Sequence, residues 1–370
     1  MSTRSITRRA CLLLAGAAAL RGAPRVEQAR TISMQPDLFA GWPTLLRRSN
    51  GELLLVYSGS REAHVCPFGR VELMRSNNDG ETWSWPQVLM DTPIDDRDAG
   101  ICETSKGTLL VTTFTSLAYE PILAKARDWP PERLARWQAA HRALSDARRK
   151  ALLGTWMLRS EDGGLTWSAP YRVPVNSPHG PVPLSGGRLL YAGKRLWDQD
   201  KAIGVCESTD DGASWRWLAA IPARPGDRTE DYHELHAVET KSGRILCHIR
   251  NHNEANRLET LQSESDDGGR TWTTPHPIGV WGLPSHLLLL RDGRILMTYG
   301  YRRPPRGNQA RWSGDEGKSW SEPITLSSDG GEDLGYPSTV ELGSGALLTA
   351  WYERPAGESK AVLRSARWTL

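Results

Sequence analysis

A short polar motif recurs along the chain and constrains its fold more than any other feature of the sequence. The motif has the form Ser-x-Asp-x-Gly-x-Ser/Thr-Trp and is called the Asp box below. Its five copies span residues 76–83, 160–167, 208–215, 265–272 and 313–320. The first copy departs from the pattern, with Asn78 where the others carry Asp. A motif repeated with a period of roughly fifty residues is typical of an architecture that stacks copies of one unit.

A second repeated pattern supplies paired strands. A turn glycine followed by an apolar run occurs six times, at Gly51, Gly107, Gly187, Gly243, Gly293 and Gly345. Each copy follows another short apolar run, and two such runs joined by a glycine turn are typical of a β-hairpin. A third strand, the Asp box and a strand led by its Trp complete a four-stranded unit. Six units predict an all-β fold, a six-bladed β-propeller.

The first and last units give the expected strand positions. In blade 1 we predict strands at 43–46, 51–57, 71–75 and 82–89. In the last blade we predict strands at 337–342, 346–353 and 361–367, with the fourth strand contributed by the N-terminal segment near residues 31–33. Pairing of the two chain ends in one blade would close the ring.

Residues 117–153 interrupt the period between the second and third strands of blade 2. Asp128 can cap a helix, the following Pro pair suits a helix start, and Leu134, Trp137 and His141 keep helical spacing. We predict a helical insertion with a basic outer face. Because the insertion joins the second strand to the third, it would emerge on the face of the disc where the second strands end. There it would act as a lid over a binding site.

The N-terminus has the pattern of an export signal. Arg8 and Arg9 precede an apolar, Ala-rich run from Cys11 to Leu20, which predicts a twin-arginine signal peptide over residues 1–30 and a propeller over residues 31–370. A periplasmic or secreted location follows from that signal. Beyond it the cysteines are isolated, which predicts buried free thiols without a disulfide framework or zinc knuckle. They are Cys66, Cys102, Cys206 and Cys247.

The bulk properties exclude several function classes. A net charge of +3 over 370 residues, with no Lys/Arg tract, does not favour nucleic-acid binding. No uninterrupted apolar run is long enough to span a bilayer, so we predict no membrane span. The apolar content of 39% and the 16 Trp residues are enough for a real core. We expect a monomer.

Antiparallel pairing places the Asp boxes on one face of the disc and the polar strand ends on the other. The Asp boxes are expected to stabilise turns: Asp accepts hydrogen bonds from turn amides, Gly adopts the required angles and Trp wedges between blades. Convergence of polar strand ends at a central funnel is typical of a binding site. This crowded face collects Trp42, Arg61, Glu62, His64, Asp95, Asp96, Arg97, Asp98, His179, Lys194, Arg195, His233, Glu234, His236, Arg250, Asn251, His252, Ser285, His286, Arg302, Arg303, Asp333, Tyr336, Glu353 and Arg354.

The Asp boxes, the six-bladed pattern and the order of the face residues resemble the exo-sialidase superfamily and its bacterial BNR-repeat relatives, over nearly all of residues 35–370. In that family a Glu begins an inner strand and an Arg ends its hairpin partner, positions that Glu234 and Arg250 occupy here. A second Arg ends the next hairpin, where Arg302 stands. A Tyr opens the last inner strand in a Gly-Tyr-x-Ser context, which Tyr336 matches.

The resemblance implies an exo-α-sialidase-like glycoside hydrolase that releases a terminal acidic sugar from glycans. A sialoside carries a carboxylate on its anomeric carbon, so a neutral Tyr336 assisted by Glu234 would avoid the repulsion that an anionic nucleophile meets. Arg250 and Arg302 would hold that carboxylate through paired hydrogen bonds. A separate acid must protonate the leaving oxygen.

The sequence departs from the family in two places. The family opens its first blade with an Arg two residues before a Pro, and Gly41 stands there, so Arg61 or Arg97 would have to complete the carboxylate clamp. No Asp follows the first hairpin, which leaves Glu62 as the nearest candidate for the acid and Asp98 as the other.

Two other functions remain open from the sequence. His179, His233, His236 and His286 are candidate substrate-binding residues, and they would also suit a propeller glycosidase or lyase that uses His on rhamnose–uronate linkages. His233 and His236 lie three apart on a strand and therefore point to opposite sides, so we predict no metal and no cofactor. A non-catalytic glycan-binding propeller is the other alternative, and it would keep binding after loss of Tyr336.

Overall fold

The computed structural model describes residues 23–35 and 37–370, which form six antiparallel sheets arranged as the blades of a propeller. The predicted all-β, six-bladed fold is therefore confirmed. In each blade the first three strands follow one another in chain order from the innermost strand outward. Every first strand therefore starts, and every second strand ends, at the same face of the disc, which we call the funnel face.

The strand bounds of the first three blades are as follows. Blade 1 comprises Phe39–Arg47, Leu53–Arg61, Arg70–Ser76 and Gln87–Met90. Blade 2 comprises Asp95–Glu103, Leu109–Ser116, Thr155–Ser160 and Tyr171–Arg172. Blade 3 comprises Val182–Pro183, Leu189–Lys194, Ile203–Ser208 and Arg216–Ala220.

The other three blades complete the ring. Blade 4 comprises Tyr232–Glu239, Ile245–Asn251, Glu259–Ser265 and His276–Trp281. Blade 5 comprises Ser285–Leu289, Ile295–Tyr301, Gly307–Ser313 and Ile324–Ser327. Blade 6 comprises Gly330–Glu341, Leu347–Pro355 and Val362–Thr369, and the N-terminal segment adds its outer strands.

The chain ends meet in blade 6. Arg25–Val26 pairs with the end of strand Val362–Thr369, and Arg30–Thr31 pairs with its middle. The predicted closure is thus present, and it involves two short strands where one was expected. Both strands involve residues at or before the predicted boundary between signal peptide and propeller, and that boundary remains a prediction.

The hydrophobic core lies between neighbouring blades. Six clusters of buried side chains each join the facing sheets of two adjacent blades, including the pair formed by blades 6 and 1. Each blade thus buries both of its faces against its neighbours, which is the physical reason that the units stack in a ring. The described cysteines are all buried and free, as predicted.

All five Asp boxes form the turn between the third and fourth strands of their blades, on the face opposite the funnel. In the second copy the Ser160 hydroxyl accepts a 2.8 Å bond from the amide of Gly164, and Asp162 accepts a 3.0 Å bond from the amide of Thr166. Hydrogen bonds to Asp162 from the Thr166 hydroxyl, which has the largest effect, from the Thr166 amide and from the Ser160 hydroxyl lower its pKa. The polar groups of the motif are therefore used inside the turn.

The Asp-box geometry corrects one strand position. The amide of Thr82 donates a 3.0 Å bond to Asn78, so Thr82 belongs to the turn, as does Trp83, which follows it. The fourth strand of blade 1 accordingly begins at Gln87, where the sequence predicted residue 82.

The helical insertion of blade 2 is confirmed. Its helices are α1, Glu120–Ala124, α2, Pro131–Arg142, and α3, Asp146–Leu152, and a 3-10 turn at Thr229–Asp231 lies elsewhere, before blade 4. Pro130 precedes α2 at its N-cap, the place predicted for Asp128, and its side chain forms no capping bond. The insertion begins after a second strand and therefore stands on the funnel face.

The predicted twin-arginine signal lies almost entirely in residues 1–22, outside the described residues, and it remains a prediction together with the periplasmic or secreted location. Within residues 23–35 and 37–370, no helix is both long enough and apolar enough to cross a bilayer.

Candidate active site

β-Bulges near the funnel end of three inner strands redirect side chains toward the axis. The register shifts between Gly41 and Thr44, between Arg97 and Gly100, and between Gly335 and Ser338. Within these bulges Trp42, Asp98 and Tyr336 adopt φ values of 52°, 49° and 53°. Such backbone conformations are unfavourable for residues other than glycine and cluster at functional sites.

Tyr336, Glu234 and Arg250 form one hydrogen-bonded group in the funnel. Tyr336 Oη donates to Glu234 Oε1 at 2.7 Å. Arg250 Nη1 donates to both Glu234 oxygens, at 3.1 and 3.0 Å, and to Tyr336 Oη at 3.1 Å. Glu234 and Arg250 belong to blade 4 and Tyr336 belongs to blade 6. The sequence links the three only through their positions in the repeat. Arg250 Nη2 has no partner in the described part of the chain.

Burial and charge set the proton positions in this group. Burial raises the pKa of Tyr336 well above its usual value, and the negative charge of Glu234 adds to that effect. Burial would also raise the pKa of Glu234, but the positive charge of Arg250, with His233 and the bond from Tyr336, lowers it to about 2. The resting site therefore holds a protonated phenol against an ionised carboxylate.

Arg302 stands beside this group with most of its hydrogen-bonding capacity unused. Its Nε donates to the carbonyl of Leu334 at 3.1 Å. The carboxylates of Asp333 and Glu353 do not pair with Arg302, because Asp333 is paired with His64 and Glu353 is paired with Arg364. Within residues 23–35 and 37–370 no carboxylate lies within 4.0 Å of the Arg302 guanidinium, so both of its Nη atoms are available to an anion.

Blade 1 has Gly41 where the family carries an Arg, and the indole of Trp42 occupies the floor of the funnel. Trp42 is buried, and a side chain on Gly41 would meet the Phe39 ring at 3.0 Å, so no Arg fits there without repacking. Arg61 is fully buried and pairs with Asp95 at 2.6 Å, which removes it from the clamp candidates.

Arg97 is the remaining candidate for the third cation. Its guanidinium lies over the Trp42 ring at 4.5 Å from the centroid, and its nearest carboxylate, on Asp95, is 3.7 Å away. The Arg97 side chain is 11% exposed, so it can reach the funnel.

The two carboxyl groups predicted as the acid have different surroundings. Glu62 is held by the helical insertion: it accepts bonds from Arg133 and Arg136 and from Trp137 Nε1, the last at 3.1 Å. Asp98 lies in the site, 6% exposed, and its Oδ1 has no hydrogen-bond partner in the part of the chain that the structure describes. Burial raises the pKa of Asp98 to about 7, although Arg97 opposes the shift, so this carboxyl is largely protonated below neutral pH.

The histidines separate into two groups. His179, His236 and His286 form a buried cluster with ring centroids 4.7–5.3 Å apart. They line an axial cavity of about 380 Å³ together with residues from the far ends of the inner strands. His236 and His286 belong to the inner strands of blades 4 and 5, and His179 precedes the inner strand of blade 3, where it bridges to Gly100. The three rings therefore border this cavity and not the group around Tyr336.

His233 is the predicted histidine that borders the site. Its ring lies 4.7 Å from that of His252, and Arg250 Nε donates to His252 Nε2 at 2.9 Å. Burial lowers the pKa of His233, and burial together with the positive charge of Arg250 lowers that of His252 to about 4, so the His252 ring is neutral at neutral pH. Among the described residues, no three His, Cys, Asp or Glu side chains are arranged to hold a metal ion.

A polar network on the rim of the funnel was not predicted from the sequence. His64 Nδ1 lies 2.9 and 3.1 Å from the two oxygens of Asp333, and Tyr352 Oη donates to Asp333 at 2.8 Å. The sequence places both His64 and Asp333 on the crowded face but assigns neither of them a role. The available signal was position, since His64 lies in the loop where the family places its acid.

Comparison with known proteins defines the class to which this molecule belongs. The model of the BNR repeat-like domain family matches residues 131–348, more than half of the chain. The chain therefore belongs to this family, and the resemblance to the sialidase and BNR-repeat superfamily is confirmed.

The individual relatives share low sequence identity with this chain. A Micromonospora viridifaciens sialidase is 26% identical over 242 residues, which are 55% of this chain and 35% of that protein. A Paenibacillus xyloglucanase is 27% identical over 184 residues, 44% of this chain and 17% of that protein. The chain thus matches about a third or less of the length of these relatives.

Solved structures share the fold. A Dyadobacter fermentans protein of unknown function superposes with a TM-score of 0.77 at 23% identity, over 94% of this chain and 99% of that one. A Hadza microbial sialidase superposes with a TM-score of 0.67 at 18% identity, over 91% and 68% of the two chains. The fold is that of the sialidase propellers.

Proposed function

We propose that this protein is an exo-acting glycoside hydrolase that releases a terminal acidic sugar of the sialic acid class from glycans. The observation that carries the proposal is the 2.7 Å hydrogen bond from Tyr336 Oη to Glu234 Oε1, with Arg250 bonded to both side chains. A tyrosine coupled to a carboxylate suits attack on an anomeric carbon that itself carries a carboxylate.

The cations around Tyr336 favour an acidic substrate. Within the described residues, both Nη atoms of Arg302 and the Nη2 atom of Arg250 are unpaired, and Arg97 lies across the funnel floor. A guanidinium binds a carboxylate through paired, charge-assisted hydrogen bonds. A neutral glucan, the substrate class named by the xyloglucanase relative, offers no such group and would leave these cations unpaired.

In the first step Tyr336 Oη attacks the anomeric carbon and its proton passes to Glu234. The bond from that carbon to the leaving oxygen breaks, and the leaving oxygen keeps the electron pair and accepts a proton from an acid. A substrate carboxylate near Arg250 offsets the charge that keeps Glu234 acidic, which raises the proton affinity of Glu234 when it is needed as a base.

In the second step a water molecule replaces Tyr336. Its oxygen bonds to the anomeric carbon, its proton returns to the conjugate base of the acid, and the bond between Tyr336 and the sugar breaks. Tyr336 then recovers its proton from Glu234. Two displacements at one carbon give overall retention of configuration.

The test is turnover by the purified protein of 3′-sialyllactose, 4-nitrophenyl α-N-acetylneuraminide and a uronate-linked oligosaccharide. We expect release of the sialic acid, and a fall in kcat/KM of about 100-fold or more for Tyr336→Phe, which is about 2.7 kcal/mol of transition-state stabilisation. Tyr171→Phe is the matched control, because Tyr171 lies on the outer strand of blade 2 and bonds to the carbonyl of Gly212.

Two results would contradict the proposal. Binding of these glycans without product, and unchanged in Tyr336→Phe, would identify a glycan-binding propeller. Release of sugar from the uronate-linked substrate alone would move the protein to a different substrate class.

A further inference from the structure

The loop after the first hairpin, where a proton donor is expected, carries a histidine that pairs with an aspartate of blade 6. Glu62, the carboxyl nearest to this place, is occupied by Arg133, Arg136 and Trp137 of the insertion. His64 lies two residues further along and is held by Asp333 of blade 6 at 2.9 Å.

The pair is oriented by its own contacts. Burial would raise the pKa of Asp333, but the hydrogen bond from His64 and the one from Tyr352 keep it below its usual value, so Asp333 is an ionised acceptor. An acceptor at Nδ1 holds the proton there and leaves Nε2 as the atom that can exchange one. Within the described residues His64 Nε2 has no hydrogen-bond partner, and the His64 side chain is 47% exposed.

The pair also occupies a suitable place relative to the nucleophile. The His64 ring packs edge-on against the Trp42 indole at 4.9 Å, and Tyr336 lies on the same indole at 6.5 Å. Tyr352 connects the two groups a second time, since its ring is 5.8 Å from that of Tyr336 while its hydroxyl holds Asp333. His64 is therefore at the exposed rim of the funnel that has Tyr336 near its floor.

Asp98 is less suited to protonate the leaving group. It lies on an inner strand near the funnel floor, 6% exposed, close to the charges of Arg97 and Glu234. In a displacement with retention the acid and the nucleophile act on opposite sides of the anomeric carbon. The released glycan must also leave toward solvent, which is the side on which His64 stands.

We propose that His64, positioned by Asp333, donates the proton to the leaving glycosidic oxygen. The proposal rests on the proposed function above. As the bond between the anomeric carbon and the leaving oxygen breaks, that oxygen keeps the electron pair and bonds to the proton from Nε2 of the imidazolium, which becomes neutral imidazole. In the second step the same Nε2 takes a proton from the attacking water and the imidazolium is restored. Imidazole is the side chain most often used for such transfers.

The test compares leaving groups. In 3′-sialyllactose the leaving sugar alkoxide needs a proton, whereas 4-nitrophenolate departs without one. For His64→Asn we expect kcat/KM on 3′-sialyllactose to fall by about 100-fold or more, within the range for loss of a general acid, and kcat/KM on 4-nitrophenyl α-N-acetylneuraminide to fall less than about fivefold. His276→Asn is the matched control, because His276 pairs with Glu264 on an outer strand.

Asp333→Asn tests the positioning role. We expect the same dependence on the leaving group with a smaller loss, since the imidazole remains but its orientation and proton affinity change. Asp98→Asn is the competing variant, and the leaving-group effect should be absent from it.

The outcomes separate the two proposals. Turnover of both substrates by the wild type, with His64→Asn affecting them equally or not at all, would overturn the His64 assignment and leave the proposed function standing. A leaving-group effect in Asp98→Asn and not in His64→Asn would transfer the role to Asp98. A folded wild type that hydrolyses neither sialoside would overturn the proposed function, and the His64 assignment with it.

Discussion

Trp42, Asp98 and Tyr336 each adopt a left-handed backbone conformation at the funnel end of an inner strand, although none of them is glycine. An alternating strand pattern would place each side chain on one of the two blade faces. The bulges redirect these residues toward the axis, where Tyr336 meets Glu234 across a gap of 102 residues in the sequence. Backbone strain of about 1–3 kcal/mol per residue of this kind is retained where the surrounding structure enforces it.

Arg302 provides a residue-scale test of the anion site. Arg302→Lys keeps the positive charge but loses the paired geometry, so we expect a loss of about 1.5–3 kcal/mol in substrate binding. The measurement is kcat/KM on the acidic glycoside that the wild type hydrolyses. Arg291→Lys, at an ion pair with Glu341 on the opposite face, is the matched control. A value for Arg302→Lys within about threefold of wild type, roughly 0.6 kcal/mol, would remove Arg302 from the site.

Asp98 predicts a dependence of stability on pH. Burial raises its pKa to about 7 from an ordinary value of 3.8, so between these two values the folded state holds a proton that the unfolded state has lost. Its favourable contribution is complete below about pH 4 and is lost as the pH rises through 7. The unfolding free energy of the wild type should therefore fall relative to that of Asp98→Asn by up to about 4 kcal/mol between pH 4 and pH 8. A difference that does not change with pH would contradict this protonation state.

At the scale of elements, the helical insertion is fastened to blade 1. Trp137 and Tyr119 are buried against Cys66 and Ile94, next to the Glu62 ion pairs. Removal of a lid, which the sequence predicts here, should affect turnover or affinity more than melting temperature. Because deletion of residues 124–150 would also uncover Cys66 and Ile94, a point substitution at the fastening separates the two effects better.

Glu62→Gln is that substitution. It removes the charge that Arg133 and Arg136 share, so we expect the unfolding free energy to fall by about 1–3 kcal/mol and proteolysis of the insertion to become faster. The value of kcat/KM should stay within about threefold of wild type, since Glu62 is already occupied. A loss of about 100-fold with unchanged stability would instead identify Glu62 as the general acid.

At the scale of the whole molecule, the ring is closed by the N-terminal segment. The amides of Glu27 and Ile32 donate to blade 6 at 2.9 and 2.8 Å, and the Ser33 hydroxyl accepts from the amide of Leu363 at 2.6 Å. A chain that starts at Met34 leaves the edge of strand Val362–Thr369 unpaired. We expect its Tm to fall by roughly 5–15 °C relative to a chain that starts at Gly22. Equal Tm values for the two chains would show that the closure contributes no stability.

Repetition made the fold predictable, because each Asp box and each glycine turn carries its structure within a few residues. The Glu234, Arg250 and Tyr336 positions followed from the same repeat and the family pattern. The surroundings of Arg61 and Glu62 depend on contacts between distant segments: Arg61 forms an ion pair with Asp95, and Glu62 forms one with α2. The pairing of His64 with Asp333 joins residues 269 positions apart, and no local pattern signals it.

The central claim is that Tyr336 attacks the anomeric carbon, and trapping of the covalent intermediate tests it most directly. A fluorinated sialosyl fluoride forms the glycosyl-enzyme faster than water removes it, because the ring fluorine destabilises the transition states while fluoride remains a good leaving group. Intact mass spectrometry followed by peptide mapping is the measurement. We predict an increase of one sugar per chain, located on Tyr336 and absent from Tyr336→Phe. Attachment of the sugar to Glu234 or to any other residue would contradict the account.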